Sequence, residues 1–345
     1  MKAIALMSGG LDSTLAAKML KDQGIEVEAL NFETGFCSCG DKGEKPGCKQ
    51  GARAMADQIG VKLTKINVAQ EYLKEVVAHP KHGYGSQMNP CMDCRAFILK
   101  KSKEYMEKTG ASFLISGEVL GQRPMSQQRH QMKITESESG AQGLVVRPLT
   151  AQTMEPSLPE QNGWVDRNKF LGISGRSRKE QMRLAKDIGV EEYENPAGGC
   201  LLTDAGFSRR LRDAFTHYGK DHVTLRDIMM LKIGRHFRLT PLHHLIVGRH
   251  QNENYKLGMF RAKDETLFDM APVPGPKALL RGPVPSNQDP VFGEDVVVKL
   301  AAGIVARYSD APKDQSVQVS VTQSAGTMEL SAIPVSDDQF VSFRV

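Results

Sequence analysis

The chain has 345 residues, a formal net charge of +5 and six cysteines, length enough for two domains with cores of their own. No apolar run approaches the roughly 20 residues of a membrane span, and no secretory h-region precedes the first strand, so the chain reads as cytoplasmic. In that compartment six thiols suit metal or sulfur chemistry better than a disulfide framework, and a small positive charge permits a polyanionic partner without requiring one.

The first half alternates strand and helix. Expected strands are Ala3–Met7, Val27–Phe32, Lys62–Val68, Phe113–Ser116 and Leu144–Arg147, and expected helices are Ser13–Gln23, Gln50–Ile59, Cys94–Thr109 and Arg178–Ile188. Short apolar strands between helices predict an α/β fold, a doubly wound parallel sheet that binds ligands at the carboxyl ends of its strands. After Phe207–Leu211 the pattern changes to a helix over Val223–Leu231, β-rich segments, a proline-rich stretch from Pro272 to Pro290, and a helix near Asp295–Tyr308. A final hairpin follows: Val317, Val319 and Val321 share a face, Ser324-Ala325-Gly326 turns, and Met328 to Ile333 returns. These segments predict a second, smaller α+β domain, with domains at residues 1–212 and 213–345.

Ser8-Gly9-Gly10-Leu11-Asp12-Ser13 joins the first strand to the first helix. Two glycines let the backbone turn tightly, so that amide N–H groups and the positive end of the helix face an anion. No lysine follows as a Walker A loop requires. Read without chemistry, the same residues are a helix cap behind a turn. Asn89-Pro90-Cys91-Met92-Asp93-Cys94 opens a later helix, and Gly198-Gly199-Cys200 comes further on. A CxxC at a helix start is expected to have lowered thiolate pKa values. With Cys200 it would hold a [4Fe-4S] cluster with one iron open, or a zinc ion whose fourth ligand is not evident, or it would form a disulfide beside an unconnected Cys200. Cys37, Cys39 and Cys48 lie in the loop after the second strand, where they would bind a second metal, relay sulfur toward Cys200 or be plain thiols of a polar loop. Trp164 reads as a packing anchor, and His79 and His82 as turn residues.

The first motif resembles the PP-loop of the ATP pyrophosphatases. Ser116-Gly117-Glu118-Val119-Leu120-Gly121-Gln122, with Ser126-Gln127 and Arg147-Pro148-Leu149, is similar to the 4-thiouridine synthetase (ThiI-type) PP-loop series, and Asn89–Cys94 is similar to the NPxxxC motif of MnmA-type 2-thiouridylases. This resemblance, over roughly residues 1–210, implies an adenine nucleotide alpha hydrolase-like fold and ATP-dependent tRNA thiolation. A uridine carbonyl would be adenylated and its oxygen replaced by sulfur, with ATP, Mg2+ and, for the CxxC branch, a [4Fe-4S] cluster. It implies nucleotide contacts at Ser8, Gly9, Gly10, Leu11, Asp12, Ser13, Asn31, Phe32, Arg95, Gly117 and Gln127. It also implies catalytic roles for Asp12, Cys91, Cys94 and Cys200, the three cysteines being the metal ligands.

Neither a THUMP domain ahead of the loop nor a rhodanese domain behind it is evident, so sulfur would come as free sulfide or from a persulfide carrier, and RNA would be held elsewhere. Gly234-Arg235 to Arg238 and Gly248-Arg249-His250 to Asn254 resemble the NFACT-R type of RNA-binding domain. That implies a tRNA partner held by Arg235, Arg238, Arg249, His250, Asn254 and Lys256, with Arg147 from the first domain and Phe237 and Tyr255 as stacking neighbours. Without that likeness, the same arginines are equally a charged strand edge. A homodimer is allowed. The alternatives are an AMP-forming PP-loop ligase or amidotransferase-type enzyme, which needs the loop but not the cysteines, and an RNA-binding adaptor with a relic nucleotide fold.

Overall fold

The structure, a computed structural model, describes residues 1–37, 48–190, 193, 199–270, 273–282, 294–336 and 340–345. Cys39 and much of the proline-rich stretch therefore lie outside the described residues, as does the side chain of Cys48. The chain divides into two units, residues 1–205 and 206–345.

In the first unit the strands are β1 (Lys2–Leu6), β2 (Glu26–Glu33), β3 (Lys62–Asn67), β4 (Phe113–Ile115) and β5 (Val145–Val146). Residues 3–6 of β1 are buried throughout. Ala3 and Ala5 point into one apolar cluster and Ile4 and Leu6 into another, as the period of two in a strand covered on both faces requires. The first cluster takes Leu11, Leu15 and Leu20 of the helix Leu11–Lys21, Met55 and Ala56 of Cys48–Gln58, and Ala185 of Lys179–Asp187. The second takes Leu99 and Met106 of the helix Cys91–Lys108. All pairings are parallel, in the order β3-β2-β1-β4-β5. The order reverses between β1 and β4, so the loops leaving these two strands bound a crevice at the sheet's carboxyl edge. Trp164 packs against Phe113, ring centroids 6.4 Å apart.

Among the elements that were not expected are two in this unit. The helix Arg129–Ser139 reads RHQMKITESES and buries only Met132, Thr135 and Ser139, too polar an inner face for hydrophobic periodicity to reveal. A π-helix spans Tyr72–Ala78 with five of its seven side chains buried.

The second unit holds an antiparallel sheet of β6 (Arg235–Arg238), β7 (His244–Val247), β8 (Thr266–Met270), β9 (Ala278–Arg281), β10 (Val317–Gln323) and β11 (Gly326–Ala332), in the order β11-β10-β8-β9-β7-β6. The helix Glu294–Arg307 covers one face through Val297, Ala301 and Val305. On the other, Met230 of Leu225–Leu231 and Leu257 of Gln251–Phe260 meet Ile246 and Leu279. The helix Ala205–Tyr218 runs unbroken through residues 212 and 213, its Phe207, Leu211 and Ala214 buried, and the two units divide after its first residue. No helix among the described residues is long and apolar enough to cross a membrane.

Candidate active site

The crevice begins with the turn between β1 and the helix Leu11–Lys21. Gly9 has φ +88°, and a Cβ there would stand 2.8 Å from the Ala52 backbone nitrogen, so glycine is required both for conformation and for space. Gly10 is the N-cap, and no side chain caps the helix. Its carbonyl instead accepts from Ser13 Oγ (2.8 Å) and Thr14 Oγ1 (3.1 Å). Ser8 Oγ lies 3.4 Å from Ser13 Oγ. Both hydroxyls thus face the same turn as the first-turn amides of Leu11, Asp12 and Ser13, the arrangement that binds anions.

The loop after β4 closes on this turn. A Cβ on Gly117 would come within 2.5 Å of the Asp12 carbonyl carbon and oxygen and of the Ser13 nitrogen. Gln122 Nε2 donates to Asp12 Oδ2 at 3.0 Å, while Asp12 Oδ1 is buried with no hydrogen-bond partner. Gln127 anchors the same loop through its carbonyl, which accepts from Gly121 N at 2.6 Å, and its side-chain Oε1 is likewise buried and unpartnered. Asn31 Nδ2 donates to the Met7 carbonyl at 2.8 Å, tying β2 to the start of the turn. Phe32 packs with the second apolar cluster.

The cysteines come from three segments. Cys91 and Cys94 open the helix Cys91–Lys108. Cys200 stands opposite Cys37 in an isolated antiparallel bridge, and Leu202 O accepts from Met88 N at 3.0 Å, drawing the Cys200 segment onto the chain just ahead of Cys91. Burial, and after it the Cys94 and Cys91 thiols, push Cys200 up to about 12. Burial raises Cys91 and Cys94 as well, opposite to the lowering expected at a helix start, because desolvation of a thiolate outweighs the helix dipole and the nearby Arg95 and Arg123. Cys94 disfavours ionisation of Cys91, and both disfavour that of Cys200, and thiols so grouped are a donor set suited to a soft metal. Among the described residues, however, no three His, Cys, Asp or Glu side chains are placed to hold a metal ion. Tyr72, buried in the π-helix and packed edge-on to Phe97, hydrogen-bonds Cys94. Nothing in the sequence marked it.

Glu118, also missed as a site residue, links these parts. It follows Gly117 and is 2 % exposed. Its carboxylate takes Arg95 Nε at 2.7 Å and Arg147 Nε at 2.9 Å, and Arg147 also pairs with Glu136. Burial alone would raise Glu118, but the two arginines overcome it and hold the carboxyl below its usual range. Arg147, expected to face RNA, is thus a buried structural cation, and Arg95 braces the loop after β4 while following Cys94 in its helix.

On the second unit the expected RNA residues differ in accessibility. Arg238 is drawn inward by Asp213, with Nε 3.2 Å from Oδ2, and stacks over Tyr218 at 5.2 Å. Asn254 Oδ1 accepts from Lys277 N at 3.1 Å and would lie 2.1 Å from a Cβ on Gly248, so this asparagine and glycine are matched structural partners. Arg235 lies 4.5 Å from the Tyr308 ring centroid, and Arg249 is half exposed with Nε 3.0 Å from both oxygens of Glu253. His250, the N-cap of Gln251–Phe260, is exposed, and Lys256 is partly so. Phe237 is a core residue at 0 % exposure, because it alternates inward on β6, whereas Tyr255 is 65 % exposed.

Two family models match the chain, the tRNA methyl transferase HUP domain over residues 1–159 and the NFACT protein RNA binding domain over residues 234–344. A tRNA-specific 2-thiouridylase MnmA of Mannheimia succiniciproducens is 36% identical over 321 residues, 89% of this chain and 73% of that one. The tRNA-specific 2-thiouridylase MnmA 2 of Caldanaerobacter subterraneus subsp. tengcongensis is 26% identical over 234 residues, 61% of this chain and 58% of that one, so the chain spans little more than half the length of that relative. The U34-tRNA thiolase NcsA from Methanococcus maripaludis with its [4Fe-4S] cluster aligns with a TM-score of 0.33 at 18% identity, over 67% of this chain and 70% of that one. A likeness that slight says nothing about ligands.

Proposed function

This chain belongs to the PP-loop proteins of the tRNA thiouridine synthetase type, and we propose that it is a cytoplasmic tRNA sulfurtransferase that uses ATP to replace a uridine carbonyl oxygen with sulfur. One observation carries the reading: Glu118 joins the phosphate turn to the cysteines. Its neighbour Gly117 seats on Asp12 and Ser13, and its carboxylate holds Arg95, which adjoins Cys94.

In this reading the amides of Leu11, Asp12 and Ser13, with the hydroxyls of Ser8 and Ser13, hold ATP phosphates at the helix N-terminus. Asp12 Oδ1, buried and unpartnered, would be a ligand for Mg2+, while Gln122 fixes the other oxygen. Asn31, Phe32, Gly117 and Gln127 line the adenosine side. The uridine oxygen attacks the α-phosphate and pyrophosphate leaves. AMP is a far better leaving group than oxide, so sulfur then displaces it at the activated carbon. Cys91, Cys94 and Cys200 are the soft donors this reading assigns to a [4Fe-4S] cluster, although they are not placed here to hold a metal ion; once bound, the cluster would keep sulfide deprotonated at neutral pH. Tyr72 and Arg95 orient the Cys94 end of this set. The second unit would hold the tRNA.

The test pairs two measurements on the full chain: ATP–pyrophosphate exchange with tRNA present, and mass spectrometry of the tRNA nucleosides after incubation with ATP and sulfide under anaerobic conditions. Exchange together with a gain of sulfur supports the reading. Exchange that persists undiminished in Cys200→Ala with no thiolated nucleoside in either protein replaces it with an AMP-forming ligase. No exchange at all leaves an RNA-binding adaptor.

A further inference from the structure

Cys37 has no part in the chemistry above, yet its position is specific. It stands directly across from Cys200 in an isolated antiparallel bridge. The hydrogen bond beside that bridge runs from Leu201 N to Phe36 O at 2.9 Å, between the residues that flank the pair. This marks Cys37 and Cys200 as the non-hydrogen-bonded kind of cross-strand pair, in which the Cα atoms approach to about 4.5 Å and the side chains are closest. A disulfide spans Cα atoms about 4.4–6.8 Å apart, so the backbone is already at bridging distance. Cys37 is exposed, whereas Cys200 is less so, and each thiol is reduced. The Cys37 thiol is also among the groups that disfavour ionisation of Cys200.

We propose that Cys37 and Cys200 are a redox pair whose oxidation to a disulfide withdraws Cys200 from the sulfur-handling site. Hydrogen peroxide, or another two-electron oxidant of that class, first oxidises the accessible Cys37 to a sulfenic acid with release of one water. The Cys200 sulfur then attacks Cys37 Sγ, the S–S bond forms, and a second water leaves. Overall, two thiols lose two protons and two electrons and the peroxide becomes two waters. A dithiol reverses the step by exchange. Cys91 and Cys94 stay reduced but lose their third partner. The pairing rests on backbone geometry alone, and only its consequence rests on the role proposed for Cys200.

The experiment treats iron-free full-length protein with a small excess of hydrogen peroxide, caps remaining thiols with N-ethylmaleimide, and maps unreduced peptides by mass spectrometry. The expected product is one cross-link between the Cys37 and Cys200 peptides, two hydrogens lighter than their sum, removed by dithiothreitol and absent in Cys37→Ser. Capped Cys37 with a Cys91–Cys94 or Cys94–Cys200 link, or a link from Cys37 to Cys39 or Cys48, overturns the pairing. Iron uptake and ATP–pyrophosphate exchange are measured in parallel. Without peroxide, Cys37→Ser should take up as much iron as the unaltered chain; after peroxide and dithiothreitol-free reconstitution, only the variant should still do so. If both take up iron equally after peroxide, the switch is wrong although the disulfide stands; if exchange fails in every sample, the enzymatic reading fails instead.

Discussion

The Arg95 guanidinium stands 2.7 Å from the Glu118 carboxylate, across from a second arginine, Arg147, at 2.9 Å. One carboxylate thus bridges two cations from different segments, where almost no water reaches it, and Glu136 supplies the second negative charge. Such a group is worth little as an attraction but is costly to remove, because Arg147 would remain charged and buried.

Replacing Glu118 with alanine should therefore destabilise the first unit by about 3–5 kcal/mol. Urea unfolding followed through Trp164, the single tryptophan of the chain, reads it directly. A loss below about 1 kcal/mol, the range of an exposed ion pair, would show that the network is not closed to solvent.

Gly10 and Gly117 make opposite predictions. A Cβ on Gly10 meets only Ser8 Oγ at 3.5 Å, ordinary contact, so Gly10→Ala should keep its stability yet lose nucleotide affinity by tenfold or more, since the methyl would intrude on the phosphates. Gly117→Ala should lose both, because its methyl strikes backbone of Asp12 and Ser13 at 2.5 Å and no side-chain rotation relieves that. Calorimetric ATP titration beside thermal unfolding separates the two. Unchanged ATP affinity in Gly10→Ala would remove the phosphate site from this turn.

For RNA, Tyr255 and Lys256 should act through different physics. Tyr255→Ala should weaken binding of single-stranded RNA by about 1–3 kcal/mol through lost stacking, with the salt dependence unchanged. Lys256→Gln should lower the logarithmic salt slope by roughly 0.7–0.9. Filter binding at several salt concentrations decides, and a slope change in Tyr255→Ala would contradict the stacking role.

The second unit encloses a hydrogen-bonded chain in which His236 Nε2 donates to the Ile233 carbonyl (2.8 Å), His244 Nε2 donates to His236 Nδ1 (3.0 Å), and the Tyr218 hydroxyl donates to His244 Nδ1 (3.0 Å). Burial, aided by Arg210, Arg249 and Arg281, lowers His236 to about 3. The unfolded chain takes up a proton near pH 6.5 that the folded unit refuses until about pH 3. Stability is therefore full above about pH 6.5 and declines below it, by about 1.4 kcal/mol per pH unit for this histidine. NMR of labelled histidine should find the His236 ring neutral from pH 7.5 to 4.5. A titration midpoint near 6.5 would contradict it.

What the sequence disclosed depended on whether a residue's partners were near it in the chain. The strands and the glycine turn are local patterns, and Ala3 to Leu6 show a continuous apolar run without help. Gly117 was recognisable within its motif, but the reason for it, the backbone of Asp12, is supplied only by folding. Arg147 looked like a surface group because its residue type often is, and Phe237 because arginines flank it, and only the positions of Glu136 and of the Glu294–Arg307 helix put them inside. The pairing of Cys37 with Cys200 has no sequence signal at all.

The sheet order also sets a schedule for synthesis. Asp12 and Gln122 are 110 residues apart, with β1 at the centre of the sheet and β4 beside it. At roughly 5–20 residues per second, a ribosome that has completed the glycine turn needs roughly 5–20 s more before the loop that closes on it exists. For that interval β1 has an open edge on one side, and the nascent chain would depend on shielding of that edge before it has any use for a nucleotide.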